Sequence, residues 1–217
     1  MQESNSSNFN HLKIHSQFSI CEGAIKIDDL KDITKDSKLK AVGLCDTSNL
    51  CGALEFAEKL SKSGSQPIIG TQINFKFNDT TGLIPLFALN ENGYKTIIKL
   101  SSLSFLKNDE LSDPHLDLNE LLNNNEGVAI FSGTINGLFG QLFNKGKFSE
   151  ISEIFSKLKS NYGDRFYIEI QRHGDQNEKE FEKFNLISSK KLDIPIIATN
   201  EVFYIDKDMH EAHDALI

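Results

Sequence analysis

Histidines, carboxylates and small polar groups stand just beyond one short apolar run after another in this sequence: His15, Asp46, Asn90, Ser132 with Thr134, His173, and Asn200 with Glu201. Gathered at one mouth, such groups could hold a metal or a phosphate. Strand alternation sharpens the pattern. In His11–His15, Lys13 and His15 share a face, and Leu12 and Ile14 share the other. In Ile168–His173, Glu169, Gln171 and His173 lie opposite Ile168 and Ile170. If helices cover the apolar face, the polar set looks inward, where unpaired charge is costly. The interior is then a metal site, a binding site or a neutralised polar network.

Other constellations carry less. His210-Glu-Ala-His213 is one residue short of HExxH, so a solvated or capping role is expected for the pair. Ser132-Gly-Thr-Ile-Asn-Gly137 matches neither the P-loop nor GxGxxG. No Ser or Cys sits in a nucleophile elbow, and Cys45 reads as a buried strand residue.

The elements that must position these groups are legible as apolar runs: 11–15, 41–45, 67–77, 83–89, 127–131, 166–171 and 194–198. Helical patterns fall at about 24–36, 49–62, 92–104, 136–144, 148–160 and 177–191. The third and fourth runs are joined only by the turn-prone Asn78-Asp-Thr-Thr-Gly82. Strand–helix alternation predicts a mostly parallel sheet with helices outside, closed or nearly closed into a barrel rather than left open. Ser48 or Asn49 is placed to cap the second helix. Pro195 stands at a strand start, where its missing N–H costs least. In 208–217, Met209, Ala212, Leu216 and Ile217 recur on one helical face with no stop signal after them. This predicts a segment of a longer polypeptide rather than a natural C-terminus packed back on the body.

A length of 217 residues predicts one domain, at roughly 100–200 residues each. Residues 1–8 read as a disordered tail and 9–217 as the folded domain. The hydrophobic share of 39% and charged share of 25% are those of a globular protein. A net charge of −8 argues against a surface built to grip nucleic-acid phosphates. Cys21, Cys45 and Cys51 show no CxxC spacing and suit free thiols in a reducing compartment. With no apolar run of membrane length and no secretion signal, a cytoplasmic location is expected.

Six motifs carry a family resemblance: the segment from His11 to Gly23 (HLKIHSQFSICEG), Leu44 to Gly52 (LCDTSNLCG), Pro67-Ile-Ile-Gly70, Asn92-Gly-Tyr94, Ile168-Glu-Ile-Gln-Arg-His173 and Ala198-Thr-Asn-Glu-Val-Phe-Tyr204. In order and over nearly the whole chain, they resemble the PHP (polymerase and histidinol phosphatase) domain that opens bacterial DNA polymerase III alpha subunits. The resemblance implies an α/β fold, a distorted seven-stranded (β/α) barrel. It also implies a parent chain that is a DNA-directed DNA polymerase, a nucleotidyltransferase of DNA replication, with magnesium in a palm beyond this segment. The partners implied are the remainder of the alpha chain, a proofreading exonuclease subunit and the replicase complex on DNA, with no membrane.

Active members of the family resemble one another in a cluster of zinc, manganese or iron at the barrel mouth. Carried over position by position, this sequence departs from that ligand pattern. It has Lys13-Ile14-His15 for HxH, Asp46-Thr47 for Asp-His, Gln72 for a glutamate and Leu83 at or near a histidine. Thr134 replaces a Cys or Asn-type ligand, and Glu201-Val202-Phe203 replaces Asp-x-His. His15, Glu22 and Glu201 remain competent, so the mouth formed with Lys13, Asp46, Thr47, Gln72, Thr134, His173 and Phe203 reads as degenerate. No metal and no catalytic residue are expected in this segment, and Lys13 is expected to pair with Glu22 or Glu201 and replace the lost cationic charge. The function implied is a structural and docking module. The alternative is a metal-dependent phosphoesterase or 3′–5′ exonuclease using zinc or manganese. A free-standing histidinol-phosphatase-like enzyme is disfavoured by the polymerase-type motifs.

Overall fold

Each apolar run pairs with its neighbours because its backbone N–H and C=O groups, once buried, need partners. The computed structural model describes residues 9–109 and 112–215. The expected tail at 1–8 lies outside the described residues, as do Leu216 and Ile217. In chain order the elements are β1 (Lys13–Ile14), α1 (Ile27–Asp36), β2 (Ala41–Thr47), α2 (Ala53–Ser63), β3 (Gln66–Phe77) and β4 (Thr80–Ala88). Then follow α3 (Glu91–Leu106), β5 (Leu116–Asp117), α4 (Leu118–Asn123), β6 (Val128–Phe131), α5 (Leu138–Asn144) and α6 (Phe148–Tyr162). The last are β7 (Phe166–Ile170), α7 (Glu178–Leu192), β8 (Ile196–Ala198), β9 (Glu201–Val202) and α8 (His210–Asp214).

The sheet order is β8-β7-β6-β4-β3-β2-β1-β9, with β5 added to β3. Among the described residues only β4 runs antiparallel to its neighbours, β3 and β6. The two ends of this order, β8 and β9, are separated in the chain by Thr199 and Asn200 alone. One stretch of chain therefore leans on β7 with its first half and on β1 with its second, which rolls the sheet into a distorted barrel.

All seven apolar runs become strands, and the sheet differs from the expected seven by the two-residue β5 and β9. A two-residue strand has no alternation to read. The helix α4 was also not legible; Asp117 caps it by accepting from the Asn119 amide. The hairpin turn is tighter than the sequence suggested. Thr80–Gly82 belong to β4, and Asn78 takes the left-handed conformation the turn requires (φ 54°). Neither Ser48 nor Asn49 caps α2, which begins at Ala53 behind Gly52. Asn49 instead accepts from the Cys51 amide and donates to the Phe18 carbonyl, tying two loops together. At the chain end His213, not Ala212, turns inward, because its ring finds Phe203, Tyr204 and the Glu22 carbonyl.

Helices cover the outer face of the sheet through two apolar clusters. One joins Ile73, Phe75, Ile84 and Leu86 to Leu100, Phe139 and Phe155, and the other joins Val42 and Leu44 to Leu30, Phe56 and Leu60. Burying each of these side chains contributes about 1.5–3 kcal/mol. A third cluster, Cys45, Phe87 and Phe131 with Leu12, Ile68, Tyr167 and Ile197, fills the floor of the lumen. Gly70 is required there, since a Cβ would stand 2.5 Å from the Phe87 ring and 2.7 Å from the Leu86 carbonyl oxygen. Gly70→Ala is expected to destabilise the domain by about 1–3 kcal/mol through overpacking, measured as a lower urea midpoint at an unchanged slope.

Candidate functional site at the barrel mouth

The strand register divides the lumen into two storeys. On β2 the inward positions rise from Cys45 to Thr47, on β3 from Ile68 through Gly70 to Gln72, and on β7 from Tyr167 to Glu169, with Gln171 just past the strand end. On the closing stretch they rise from Ile197 to Thr199 and Glu201. Each series is apolar or small at the floor and polar at the C-terminal mouth. Lys13 joins the storeys. It is 1% exposed, and its ammonium lies 3.1 Å from Glu201 Oε1 and 3.5 Å from Glu169 Oε1. The lysine thus meets Glu201, one of the two carboxylates expected for it, and a second, Glu169, on the face that alternation had assigned to the lumen.

Burial alone would depress the Lys13 ammonium, but the Glu169 and Glu201 charges outweigh it and raise its pKa above the ordinary lysine value. Burial likewise works against ionised Glu201. The hydrogen bond from His15 Nε2 at 3.2 Å and the Lys13 charge prevail, drawing its pKa down to about 2. Glu169 is held further by the Thr199 hydroxyl and by Gln171 Nε2 at 3.2 Å. Gln171 also donates to Thr199 Oγ1 at 2.8 Å, so these three side chains lock one another. Phe203 stacks on His15 with ring centroids 4.5 Å apart and planes 16° apart. Burial pushes the Cys45 thiol well up, so it stays a neutral floor residue.

The other expected members divide. Thr47 donates to Glu22 Oε2 and accepts from Gln72 Nε2 at 3.0 Å, so these three form a second chain across the mouth. Asp46 does not line the mouth, which corrects its expected place there. One step out of phase with Cys45 and Thr47, it is buried against the preceding loop, accepting from the Ser16 amide (2.7 Å), Ser16 Oγ (2.9 Å) and Ser19 Oγ (2.9 Å). His173 stands exposed on the wall of the mouth rather than inside the lumen. Strand β7 stops at Ile170 and the chain bends at Gly174 (φ 89°), so alternation no longer governs position 173.

Above these chains opens a cleft of about 610 Å³ lined by Lys13, Glu22, Gln72, Leu83, Thr134 and Glu201, with His173, Asn136, Asp175 and Tyr204 among its other walls. Asn136 donates to Asp175 across it at 3.1 Å. Thr199 was not singled out from the sequence, although it stands at the alternation position between Ile197 and Glu201. His213 takes neither the solvated nor the capping role expected of it: it is buried and hydrogen-bonds the Glu22 carbonyl oxygen at 2.6 Å. No sequence spacing signals that contact across the fold. Among the described residues, no group of three or more His, Cys, Asp or Glu converges as a metal would require. His15 Nδ1 and Glu169 Oε2 are buried without a hydrogen-bond partner there.

Lys13→Met is expected to destabilise the protein by about 3–5 kcal/mol near neutral pH, because buried Glu169 and partly buried Glu201 lose their cation. The pH dependence follows from Glu201. Its depressed pKa contributes stability that is present above its unfolded value of about 4.3 and lost as pH falls toward about 2. The stability difference between wild type and Lys13→Met should therefore shrink over that acid window, measured by urea unfolding at successive pH values. A difference that stays constant from pH 7 to pH 2 would contradict the assigned pair.

A family model, the PHP domain, matches residues 11–173. The chain is 38% identical over 211 residues to a DNA polymerase III subunit alpha of Rickettsia felis, covering 96% of this chain and 17% of the relative. It is 34% identical to the DNA polymerase III subunit alpha of Caulobacter vibrioides, covering 100% and 20% respectively. The chain thus spans about a fifth of the length of these relatives. Among solved structures, an amidohydrolase from Chromobacterium violaceum with bound sulfate superposes with a TM-score of 0.60 at 10% identity, over 95% of this chain and 96% of that one. A protein from Bifidobacterium adolescentis assigned as a metal-dependent phosphoesterase superposes with a TM-score of 0.59 at 11% identity, over the same shares. At these identities the likeness concerns the fold.

Proposed function

We propose a scaffold function for this chain, which belongs to the PHP domain family and is similar to the N-terminal region of DNA polymerase III alpha subunits. In this reading it is the PHP portion of a cytoplasmic replicative polymerase chain, where it steadies the polymerase and offers a docking platform to a proofreading exonuclease subunit. The polymerase activity itself, with its magnesium, belongs to a palm outside this segment.

The observation that carries the reading is the Lys13 ammonium lodged between Glu169 and Glu201, where the resemblance places the first histidine ligand. These residues do not fit a multinuclear metal cluster. Each ion would need about three protein ligands, and Glu201 Oε1 is already shared by the Lys13 ammonium and His15 Nε2. A divalent ion beside Glu201 would meet an ammonium 3.1 Å from the same oxygen. Thr47 and Gln72 meanwhile satisfy Glu22 and each other through neutral hydrogen bonds.

The open cleft lined by Glu22 and Glu201, with buried His15 hydrogen-bonded to Glu201 behind it, favours the second reading, a phosphoesterase or 3′–5′ exonuclease, and one experiment separates the two. Purified protein, incubated with zinc or manganese and desalted, is assayed for bound metal and for hydrolysis of a phosphodiester. The scaffold reading expects less than stoichiometric metal and no hydrolysis that a chelator abolishes. Two or more ions per chain with chelator-sensitive cleavage would establish the enzymatic reading instead.

A further inference from the structure

We propose that the cleft above the barrel mouth binds a small organic amine in its ammonium form, whose N–H groups answer a wall of unused acceptor oxygens. Such a site is independent of whether the domain serves as a scaffold.

The donors of the wall are already committed. The Lys13 ammonium lies between Glu169 and Glu201, the Thr199 hydroxyl donates to Glu169, and the Thr47 hydroxyl donates to Glu22. These bonds orient the amides as well. Gln171 turns its Nε2 to Glu169 Oε1 and Thr199 Oγ1, and Gln72 turns its Nε2 to Thr47 Oγ1. A hydroxyl that gives its one hydrogen to a carboxylate can only accept from its other neighbour, so neither amide is free to flip. The amide oxygens are left over. Gln72 is 3% exposed and Gln171 8%, and both line the cleft. Among the described residues neither Oε1 accepts a hydrogen bond, yet neither is sealed inside the protein, so both open on the cleft. The carboxylates repeat the pattern, since Glu22 accepts through Oε2 alone and Glu201 through Oε1 alone.

Charge and shape narrow the ligand. Lys13 is the only lysine or arginine of the lining, set against Glu22, Asp175 and Glu201 with Glu169 behind them. An anion would be repelled there, whereas a protonated amine brings both the missing charge and the missing donors. The volume of about 610 Å³ is that of a small-molecule site rather than of a bare ion. Leu83, Pro85, Phe203 and Tyr204 also line the cleft, which gives methylene groups an apolar surface and an ammonium two aromatic rings.

Binding of putrescine, a short diamine, to the 217-residue chain is measured by isothermal titration calorimetry at about 0.15 M salt, which screens attraction by the overall charge of −8. Saturable binding of one putrescine per chain is expected. Glu22→Gln and Asp175→Asn should each weaken it about tenfold, as the loss of one charge-assisted hydrogen bond gives. Both variants keep an oxygen for Thr47 or Asn136. Asp175 is exposed, so its variant reads the cleft even if Glu22→Gln perturbs the mouth. Glu58→Gln, the same change of charge at an exposed position on α2, should leave binding unaltered. n-Butylamine should bind at least as tightly as N-acetyl-lysine methylamide, which carries the same stem on a peptide unit. Tighter binding of the lysine compound would assign the cleft to a side chain of a partner protein and overturn the inference. The absence of saturable binding, no weakening by Asp175→Asn, or equal weakening by Glu58→Gln would overturn it too. So would binding of inorganic phosphate in the cleft, or displacement of putrescine by magnesium at equal concentration.

Discussion

An ammonium removed from water must be repaid with negative charge close by, and Lys13 imposes that condition on the whole centre of this barrel. It draws Glu169 from β7 and Glu201 from the closing stretch to within ion-pair distance. Those strands approach Lys13 from opposite sides, because β7 and β9 are far apart in the sheet order and meet only through closure. The pairing is thus also a constraint on curvature. A flatter sheet would keep Lys13 beside Glu201 on the neighbouring strand but part it from Glu169, leaving that buried carboxylate without its cation at a cost exceeding that of most single core contacts. Such a network is not required to add much net stability. Its effect is to make the closed arrangement the one in which every charge has a partner.

The same economy governs the storeys around it. The floor is filled by Phe87, Phe131 and Tyr167, which keep water from reaching the lysine stem, and the mouth is finished with neutral hydrogen bonds among Thr47, Gln72 and Glu22. Where the family resemblance implies ions bridged by anionic ligands, this mouth combines one internal cation with amides and hydroxyls. A barrel organised in this way carries a cationic charge of its own between Glu169 and Glu201. Asp46 takes part by turning outward: a residue type suited to ligation serves here to brace a loop.

Much of this was readable from residue order. Runs such as 67–77 and 166–171 are too apolar and too well punctuated to be anything but strands, and alternation correctly put Lys13, His15, Glu169 and Gln171 on one inner face. Alternation failed where its premise failed. His173 lies beyond the end of β7, and Asp46 is one residue out of phase with the lumen positions of its own strand. The two-residue strands β5 and β9 exist only because partners already in place offer free backbone groups. The seat of His213 on Glu22 joins positions that no local rule connects.

Strand and helix identity and the inward set of polar residues follow from the sequence by itself, because they depend on periodicity and side-chain chemistry, which are local. Which carboxylates meet the lysine, which way Asp46 turns and how His213 seats on the Glu22 carbonyl were decided only by barrel closure. Those contacts depend on distances between segments far apart in the chain, and such distances are set when the sheet curls.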